Sequence, residues 1–486
     1  MPWLNYLYNL KRYKDAGVKE FDKPIEGFIQ KLENELKTES YKSIKQRHFG
    51  NLLDNKKNII NLLNGVFETN SSNDFEYEIK HLELPVKLLL TEAIKQNDIE
   101  SILLSGIVLN DNTLTYDEKY FESNTIARAT IEVNDDTKQR LENYYEYISK
   151  NLKLLDNQVF VWVFYHSEVF YLIIITSENV VTFKEIPNWD FSKMRAWIKQ
   201  KEDFFFDSKK YFDLGEQEDD YQKSLETLSF CDLDIEIDYD EILFSSSIDL
   251  TQFPSNLIIN KKDFISSKVP LTNVISAEWL IKNGNEFYLQ KDFSSTAWIP
   301  IEDGDIPINS SFNKLKPILD SNGTKIIESR NLSKYIDTDI NIFLAHGEIG
   351  FNNFKAIYTN HSSESAILNV DALFGKGEIA ILFICNSGLT NEDIFANSVT
   401  SLCYDILKLG YKAVIAPFWR LEISIPSYWL EVFFNEFKKG CKLSTAVHLA
   451  NAELAIYKDD ISNAFFVPEG RLAMHLYGNP NLKIKT

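Results

Sequence analysis

The sequence is poor in cysteine and contains no long apolar run. Its 486 residues include only four cysteines, which are scattered along the chain and form no Cys-x-x-Cys pair. Four such residues are too few for a disulfide framework, and a zinc site built on that spacing is excluded. No stretch reaches the roughly 18 consecutive apolar residues of a membrane span. Residues 1–20 also lack the apolar core of a signal peptide, so the sequence predicts a cytoplasmic protein with reduced thiols.

Positive charge is also scarce. The chain has 51 Lys and Arg residues against 71 Asp and Glu residues, which gives a net charge of −20. A surface this acidic repels phosphate groups, so neither direct nucleic-acid binding nor binding to anionic membranes is expected. The glycine pair at 375–377 lacks the frame of a phosphate-binding loop, and the acidic run 216–220 lacks the spacing of a calcium loop. The sequence therefore predicts no cofactor and no metal.

The composition is that of a folded protein with about three domains, since 44% of the residues are hydrophobic and 25% are charged. Residues 1–155 are predicted to form a mostly helical region with a docking or regulatory role. Apolar residues recur there at helical spacing in four segments. These segments are 25–38, 52–67, 85–96 and 137–155.

Beyond residue 156 the pattern changes to strands that alternate with helices. A hairpin is predicted from 159–165 and 169–176, followed by a strand at 180–183 and a helix from 190 to about 205. Further strands are predicted at 241–245, 256–260, 324–328, 340–345, 378–384, 412–418 and 471–477, and further helices at 391–409, 427–439 and 443–457. This alternation predicts an α/β fold whose sheet carries helices on both faces, in two segments, 156–330 and 331–486.

The predicted helix 391–409 has signals at both of its ends. Thr390 and Asp393 have the spacing of a capping box, and Gly410 fits the position just after a helix. Cys403 falls on the apolar stripe of this helix, which favours a core position for its thiol.

Two predicted strands end in residues that can carry chemistry. The segment 339–347 is apolar and ends in His346 and Gly347, and the segment 378–388 is apolar and contains Cys385 near its end. About 38 residues lie between the histidine and the cysteine, enough for a crossover that makes the two strands neighbours. Because ligands and chemistry collect at the carboxyl ends of parallel strands, the two side chains are expected to face one cleft.

A histidine and a cysteine in this arrangement suit nucleophilic catalysis. A thiolate is a nucleophile, and an imidazole is the natural base and later the acid for a leaving amine. The backbone N–H groups of Gly347 and Cys385 are candidate donors to a developing oxyanion. Either residue alone is more often structural, but the joint pattern at two strand ends favours a functional site.

The region around these two strands resembles a CHAT domain, a caspase-related cysteine peptidase family of clan CD that also includes separase. The resemblance is strong over residues 340–482, weak before that, and covers roughly 155–486. The segments that carry it are LAHG at 344–347, ILFICNSG at 381–388, KLGYKAVIAPFW at 408–419, the helical region 427–454 and LYGNPNL at 476–482.

The resemblance implies a caspase-like fold and a dyad of His346 and Cys385 that cuts peptide bonds without a third catalytic acid. It also implies a protein substrate, an activating protein partner and a place in a bacterial signalling or antiviral defence module. The chain departs from the family pattern at Phe383 and Ile384, where Ser-Ala is frequent, and after Trp419, where related sequences often have acidic residues at the third or fourth position and this chain has the order Trp-Arg-Leu-Glu-Ile. Two alternatives remain open: a catalytically silent caspase-fold scaffold, and another thiol-dependent acyl transferase or hydrolase.

Substrate selection is predicted to depend on the segment 419–425, which follows the strand 412–418. Trp419 is either a pocket wall or a core residue, and Arg420 and Glu422 are spaced to point the same way on an extended segment. If Glu422 faces the pocket unpaired, a basic substrate side chain is favoured. If Arg420 faces it, an acidic one is favoured, and if the two residues pair, an apolar or small one. The acidity of the chain favours Glu422 and a basic substrate side chain. We also expect the isolated chain to be latent, through displacement of residues 386–393 or occlusion of the cleft.

Overall fold

The computed structural model describes the chain in segments. These are residues 90–103, 144–205, 222, 224–236, 239–247, 250, 252–329, 336–348, 356–358, 374–385, 387, 391–393, 398–400, 402–419, 421–454 and 472–485. Two compact units emerge, one of residues 1–152 and 392–398, the other of residues 153–391 and 399–486. Their division at 152/153 lies three residues from the predicted boundary at 155/156. The predicted boundary at 330/331 falls inside the second unit.

The described residues of the first unit between 90 and 151 are mostly helical. Residues 90–95 and 99–103 are helical, and helix α1 spans Tyr144–Asn151. These helical residues overlap the helices predicted at 85–96 and 137–155, so the predicted element type is confirmed where the chain is described. The predicted helices 25–38 and 52–67 lie outside the described residues.

The strands and helices of the described residues have the following bounds. The strands are β1 Gln158–His166, β2 Val169–Thr176, β3 Val181–Ile186, β4 Glu241–Ser246, β5 Ile259–Asn260, β6 Asp263–Phe264, β7 Leu271–Asn273, β8 Phe287–Leu289, β9 Ser295–Trp298, β10 Lys325–Ile327, β11 Ile340–Glu348, β12 Ala356–Tyr358, β13 Ile379–Ile384, β14 Asn391–Asp393, β15 Ser398–Thr400, β16 Ala413–Pro417, β17 Met474–Gly478 and β18 Leu482–Ile484. The helices after α1 are α2 Phe191–Phe205, α3 Ile265–Lys268, α4 Ala277–Asn283, α5 Ile306–Ser321, α6 Leu402–Lys408, α7 Ile425–Lys438 and α8 Leu443–Leu454.

Within the described residues of the second unit, twelve strands form one sheet. Their order is β10-β9-β11-β13-β16-β17-β7-β4-β1-β2-β3, and β12 pairs with β11 beside this path. The five strands from β10 to β16 are mutually parallel, and β17 runs antiparallel to β16. At the other end, β4 is parallel to β1, while β1, β2 and β3 form an antiparallel meander. One continuous sheet therefore joins both predicted segments, 156–330 and 331–486.

Helices cover both faces of the sheet around β11. Ile342 lies in a core with Phe312 of α5 and Phe433 of α7, and its neighbour Phe343 lies in another core with Ile406 of α6. Successive side chains of a strand point to opposite faces, so both faces of β11 are buried. This confirms the predicted α/β fold with a doubly covered sheet.

The predicted helix 391–409 is wrong in its first half. Residues 391–393 and 398–400 are extended, and the helix spans only Leu402–Lys408. Ser, Thr, Asn and β-branched residues dominate 397–400, and their low helix propensity outweighs the capping-like spacing of Asp393. The end of the helix is confirmed, since Gly410 has a φ of +105° and Cys403 is fully buried.

The strand predicted at 256–260 is also partly wrong. Residues Ser255–Leu257 form a 3-10 turn, and only Ile259–Asn260 are extended. Pro254 precedes that turn and presets its backbone. The sequence analysis did not predict several elements, above all the sixteen-residue helix α5, which contains two prolines.

The closing Gly-Asn-Pro motif is a buried turn between β17 and β18. Gly478 has a φ of +102°, and a Cβ there would lie 2.5 Å from the carbonyl oxygen of Lys412. Asn479 is 1% exposed, and its side-chain amide donates to the carbonyl oxygens of Asn283 and Asn285. An aspartate cannot donate these two hydrogen bonds, which explains why this chain carries asparagine at that position.

Candidate active site

The register of two parallel strands places His346 next to Cys385. β11 and β13 pair from Ile340 with Ile379 to Ala345 with Ile384. His346 directly follows Ala345, and Cys385 directly follows Ile384, so the two residues occupy corresponding positions just beyond the last pair of this ladder. Neighbouring strands lie about 4.8 Å apart, which brings both residues to one point at the carboxyl edge of the sheet. The predicted neighbourhood of the two strands is thereby confirmed.

The imidazole of His346 contacts a carboxylate that the sequence analysis missed. Its Nε2 lies 2.8 Å from Oδ2 of Asp305, and the two side chains are 12% and 2% exposed. Asp305 precedes helix α5, and its Oδ1 accepts a hydrogen bond from the N–H of Ile308 at 3.3 Å. The carboxylate therefore caps the helix with one oxygen and holds the histidine with the other.

The contact with Asp305 determines which ring nitrogen of His346 carries a proton. An ionised carboxylate only accepts hydrogen bonds, so Nε2 must carry a proton in order to bond to Asp305. Nδ1 is then the nitrogen that can take a proton from a thiol at Cys385 and return it later.

The thiol of Cys385 is half-buried and lies beside the segment that follows β16. The backbone N–H of Leu421 donates to its Sγ at 3.5 Å. A hydrogen bond donated to the sulfur favours the thiolate over the thiol. The same contact places the segment after β16, where substrate selection was predicted, directly against the candidate nucleophile.

Two other cysteines have the opposite environment. Cys231 and Cys403 are fully buried, and burial raises the pKa of the Cys231 thiol to about 12 and that of Cys403 well above its usual value. Such thiols stay protonated and unreactive at neutral pH. Cys441 is half-buried, as Cys385 is, but it lies between α7 and α8.

The three predicted substrate-binding residues have different placements. Trp419 is 3% exposed and packs edge-on against His475, with ring centroids 5.6 Å apart. Arg420 lies outside the described residues. The carboxylate of Glu422 accepts hydrogen bonds from the N–H of Ser424 at 2.7 Å and from its hydroxyl at 3.4 Å. Glu422 thus shapes the turn before α7.

Two basic side chains contact this segment, Lys314 and His475. Lys314 of α5 donates to the hydroxyl of Ser424 at 3.3 Å, so a cation lies close to the turn that Glu422 caps. His475 is fully buried, and burial lowers its pKa to about 3, so its ring is neutral at physiological pH. Among the described residues, no three His, Cys, Asp or Glu side chains come together in a group that could hold a metal ion.

Gly347, the predicted oxyanion donor, lies in the ladder between β11 and β12, where its register partner is Ile357. It is half-buried and directly follows His346. Half of the segment 386–393, which was predicted to control latency, lies outside the described residues, namely 386 and 388–390. The part of the chain that the structure describes also contains no helix long and apolar enough to cross a membrane.

The sequence carries one weak signal for the role of Asp305. An aspartate followed by a proline two residues later is typical of a helix start, and here it marks the beginning of α5. Nothing in that signal indicates that the carboxylate reaches a strand end 41 residues further along the chain.

No protein-family model matches the sequence, and no curated protein matches it. Solved structures do share its fold. Two structures of the Saccharomyces cerevisiae separase–securin complex align with TM-scores of 0.55 and 0.50, both at 11% identity, over 95% and 94% of this chain. The chain spans 40% of the length of the chains it matches there. A weaker alignment, with a TM-score of 0.33 and 12% identity, covers 56% of this chain and 69% of the Arg-specific cysteine proteinase gingipain R.

The chain therefore has an α/β fold of the caspase-like kind found in separase. This agrees with the fold that the sequence resemblance implied. The narrower CHAT assignment stays a prediction.

Proposed function

We propose that this protein is a caspase-like cysteine endopeptidase, with Cys385 as nucleophile and His346 as base and acid. One observation carries the proposal: the register of β11 and β13 makes these two residues neighbours at the carboxyl edge of the sheet. The half-buried thiol of Cys385, with a backbone N–H directed at its sulfur, supports the same role.

The proposed reaction has two stages. The proton of the Cys385 thiol passes to His346, and the sulfur attacks the carbonyl carbon of the scissile bond to form a C–S bond and an oxyanion. The N–H groups of Gly347 and Cys385 stabilise that oxyanion. The C–N bond then breaks, and the leaving amine takes the proton from His346. In the second stage water, deprotonated by His346, attacks the thioester, and the acid product and the free thiol are released.

The experiment that tests this function is a comparison of cleavage by matched variants. We would incubate wild type, Cys385→Ala and Cys441→Ala with the proteins encoded beside this chain and map new N-termini by mass spectrometry. Cleavage by wild type and Cys441→Ala, but not by Cys385→Ala, is the expected result. Equal cleavage by Cys385→Ala would contradict the assignment, and absence of cleavage in every mixture would favour the catalytically silent scaffold.

We further propose that a protein partner controls this activity in the cytoplasm, as part of a bacterial signalling or antiviral defence module. The resemblance to CHAT domains supports this context. The matched separase structures were determined as complexes with securin, so this fold accommodates a protein partner. Residues 1–155 are the proposed docking or regulatory region.

Substrate preference is proposed to depend on the segment that contains Trp419, Arg420 and Glu422, because its Leu421 contacts the nucleophile. Glu422→Gln keeps an oxygen that can accept from the N–H of Ser424 and removes the negative charge. If Glu422 faces a basic substrate side chain, we expect this variant to lower cleavage after Arg and Lys at least tenfold in a peptide library. An unchanged cleavage profile would show that Glu422 acts only on the turn.

A further inference from the structure

We propose that Asp305 is a positioning residue that fixes the tautomer and orientation of His346 for reaction with Cys385. This inference rests on the proposed dyad. It departs from the sequence analysis, which expected no third acid.

The first step of the argument is how firmly the carboxylate is held. Asp305 is 2% exposed in its side chain, and both of its oxygens have partners: Oδ1 the N–H of Ile308, Oδ2 the Nε2 of His346. The N-terminus of the sixteen-residue helix α5 also favours a negative charge at this place. The carboxylate is thus held in one position.

The second step is what a fixed anion does to the imidazole. It requires a proton on Nε2, which leaves Nδ1 as the ring nitrogen that can act as a base. When Nδ1 takes the thiol proton, the ring becomes a cation 2.8 Å from a buried anion. Asp305 therefore stabilises the ion pair of imidazolium and thiolate, and so increases the thiolate fraction of Cys385.

The groups that bear on this ion pair come from three elements. Within the described residues, Asp305 contacts His346 from the start of α5, and Cys385 directly follows β13, the strand that pairs with β11. Tyr358 of β12 is the register partner of His346. The carboxylate of Asp305 contacts His346 directly, with 2.8 Å between Oδ2 and Nε2.

The test uses alkylation of the thiolate, which needs no peptide substrate. Iodoacetamide forms a C–S bond with the thiolate and releases iodide, and mass spectrometry follows the peptide that contains Cys385 as a function of pH. The peptide that contains Cys441, which is also half-buried, serves as reference in the same sample. His346→Ala gives the profile of a cysteine without its partner.

Two substitutions separate positioning from helix capping. Asp305→Asn keeps an acceptor for Ile308 but donates its amide to the histidine ring, which imposes the opposite tautomer. Asp305→Ser keeps a good helix cap and is too short to hold the ring. In both variants we expect the pH midpoint of Cys385 alkylation to rise by about one unit, with at least a tenfold slower reaction at neutral pH, while Cys441 is unaffected.

Two outcomes would overturn the inference. One is a Cys385 profile identical to wild type in Asp305→Asn, and the other is a normal profile in the folded Asp305→Ser, which would assign the residue to capping alone. The outcome is independent of the proposed peptidase activity. A shifted alkylation profile without any peptide cleavage would support the positioning role of Asp305 and contradict the proposed peptidase activity. Cys385-dependent cleavage with an unshifted profile would support the peptidase activity and contradict the positioning role.

Discussion

His346→Ala is expected to lower kcat/KM for peptide cleavage by about three orders of magnitude or more, since the variant loses both the base and the acid of the proposed reaction. The fold should be retained, because the side chain lies at the end of β11 and belongs to none of the hydrophobic cores of the described residues. Kinetics on a verified substrate, together with urea unfolding, measure the two effects separately.

The matched control is His448→Ala. His448 is a half-buried histidine of α8 whose Nδ1 lies 3.1 Å from the carbonyl oxygen of Ser266. It lies on α8 and contacts α3, so its loss should leave kcat/KM near the wild-type value. A His346→Ala variant that cleaves as fast as His448→Ala would remove the histidine from the mechanism.

Gly478→Ala is expected to have the largest effect on stability. The methyl group would lie 2.5 Å from the carbonyl oxygen of Lys412 and 2.9 Å from a methyl carbon of Leu407, at a φ of +102°. The clash and the left-handed backbone together should lower the free energy of unfolding by about 3 kcal/mol or more. Urea unfolding monitored by tryptophan fluorescence measures the change.

Gly410→Ala separates the two causes. Gly410 has nearly the same backbone angle, with a φ of +105°, but a methyl group there would meet nothing within 4 Å. This variant carries the conformational cost alone, about 1 kcal/mol. Equal losses in the two variants would show that the contact with Lys412 is relieved by a small backbone shift.

The central strands could be predicted from the sequence because burial on both faces of a strand favours apolar residues along most of its length. β11, β13 and β16 are buried on both faces, so each is a continuous apolar run, and the predicted bounds 340–345, 378–384 and 412–418 overlap the observed strands. The ends of such runs also indicated where His346 and Cys385 lie. Pairing of β11 with β13 followed from the length of chain between them.

What the sequence could not show depends on packing between distant segments. The contact of Asp305 with His346 requires the start of α5 to meet the end of β11, and no local pattern encodes that distance. The same holds for Leu421 and Cys385, which lie 36 residues apart. The error at 391–409 has a local origin: an apolar stripe that is real over Leu402–Lys408 was extended through residues that prefer extended backbone.

The shared ladder of β11 and β13 has a consequence for how this chain tolerates change. The spacing of His346 and Cys385 is set by the hydrogen bonds between the strands that precede them, and the length of the connection between those strands does not enter it. Doubling the length of a loop costs only about 0.6 kcal/mol in closure entropy. A longer connection between β11 and β13 therefore leaves the spacing of the two strand ends unchanged.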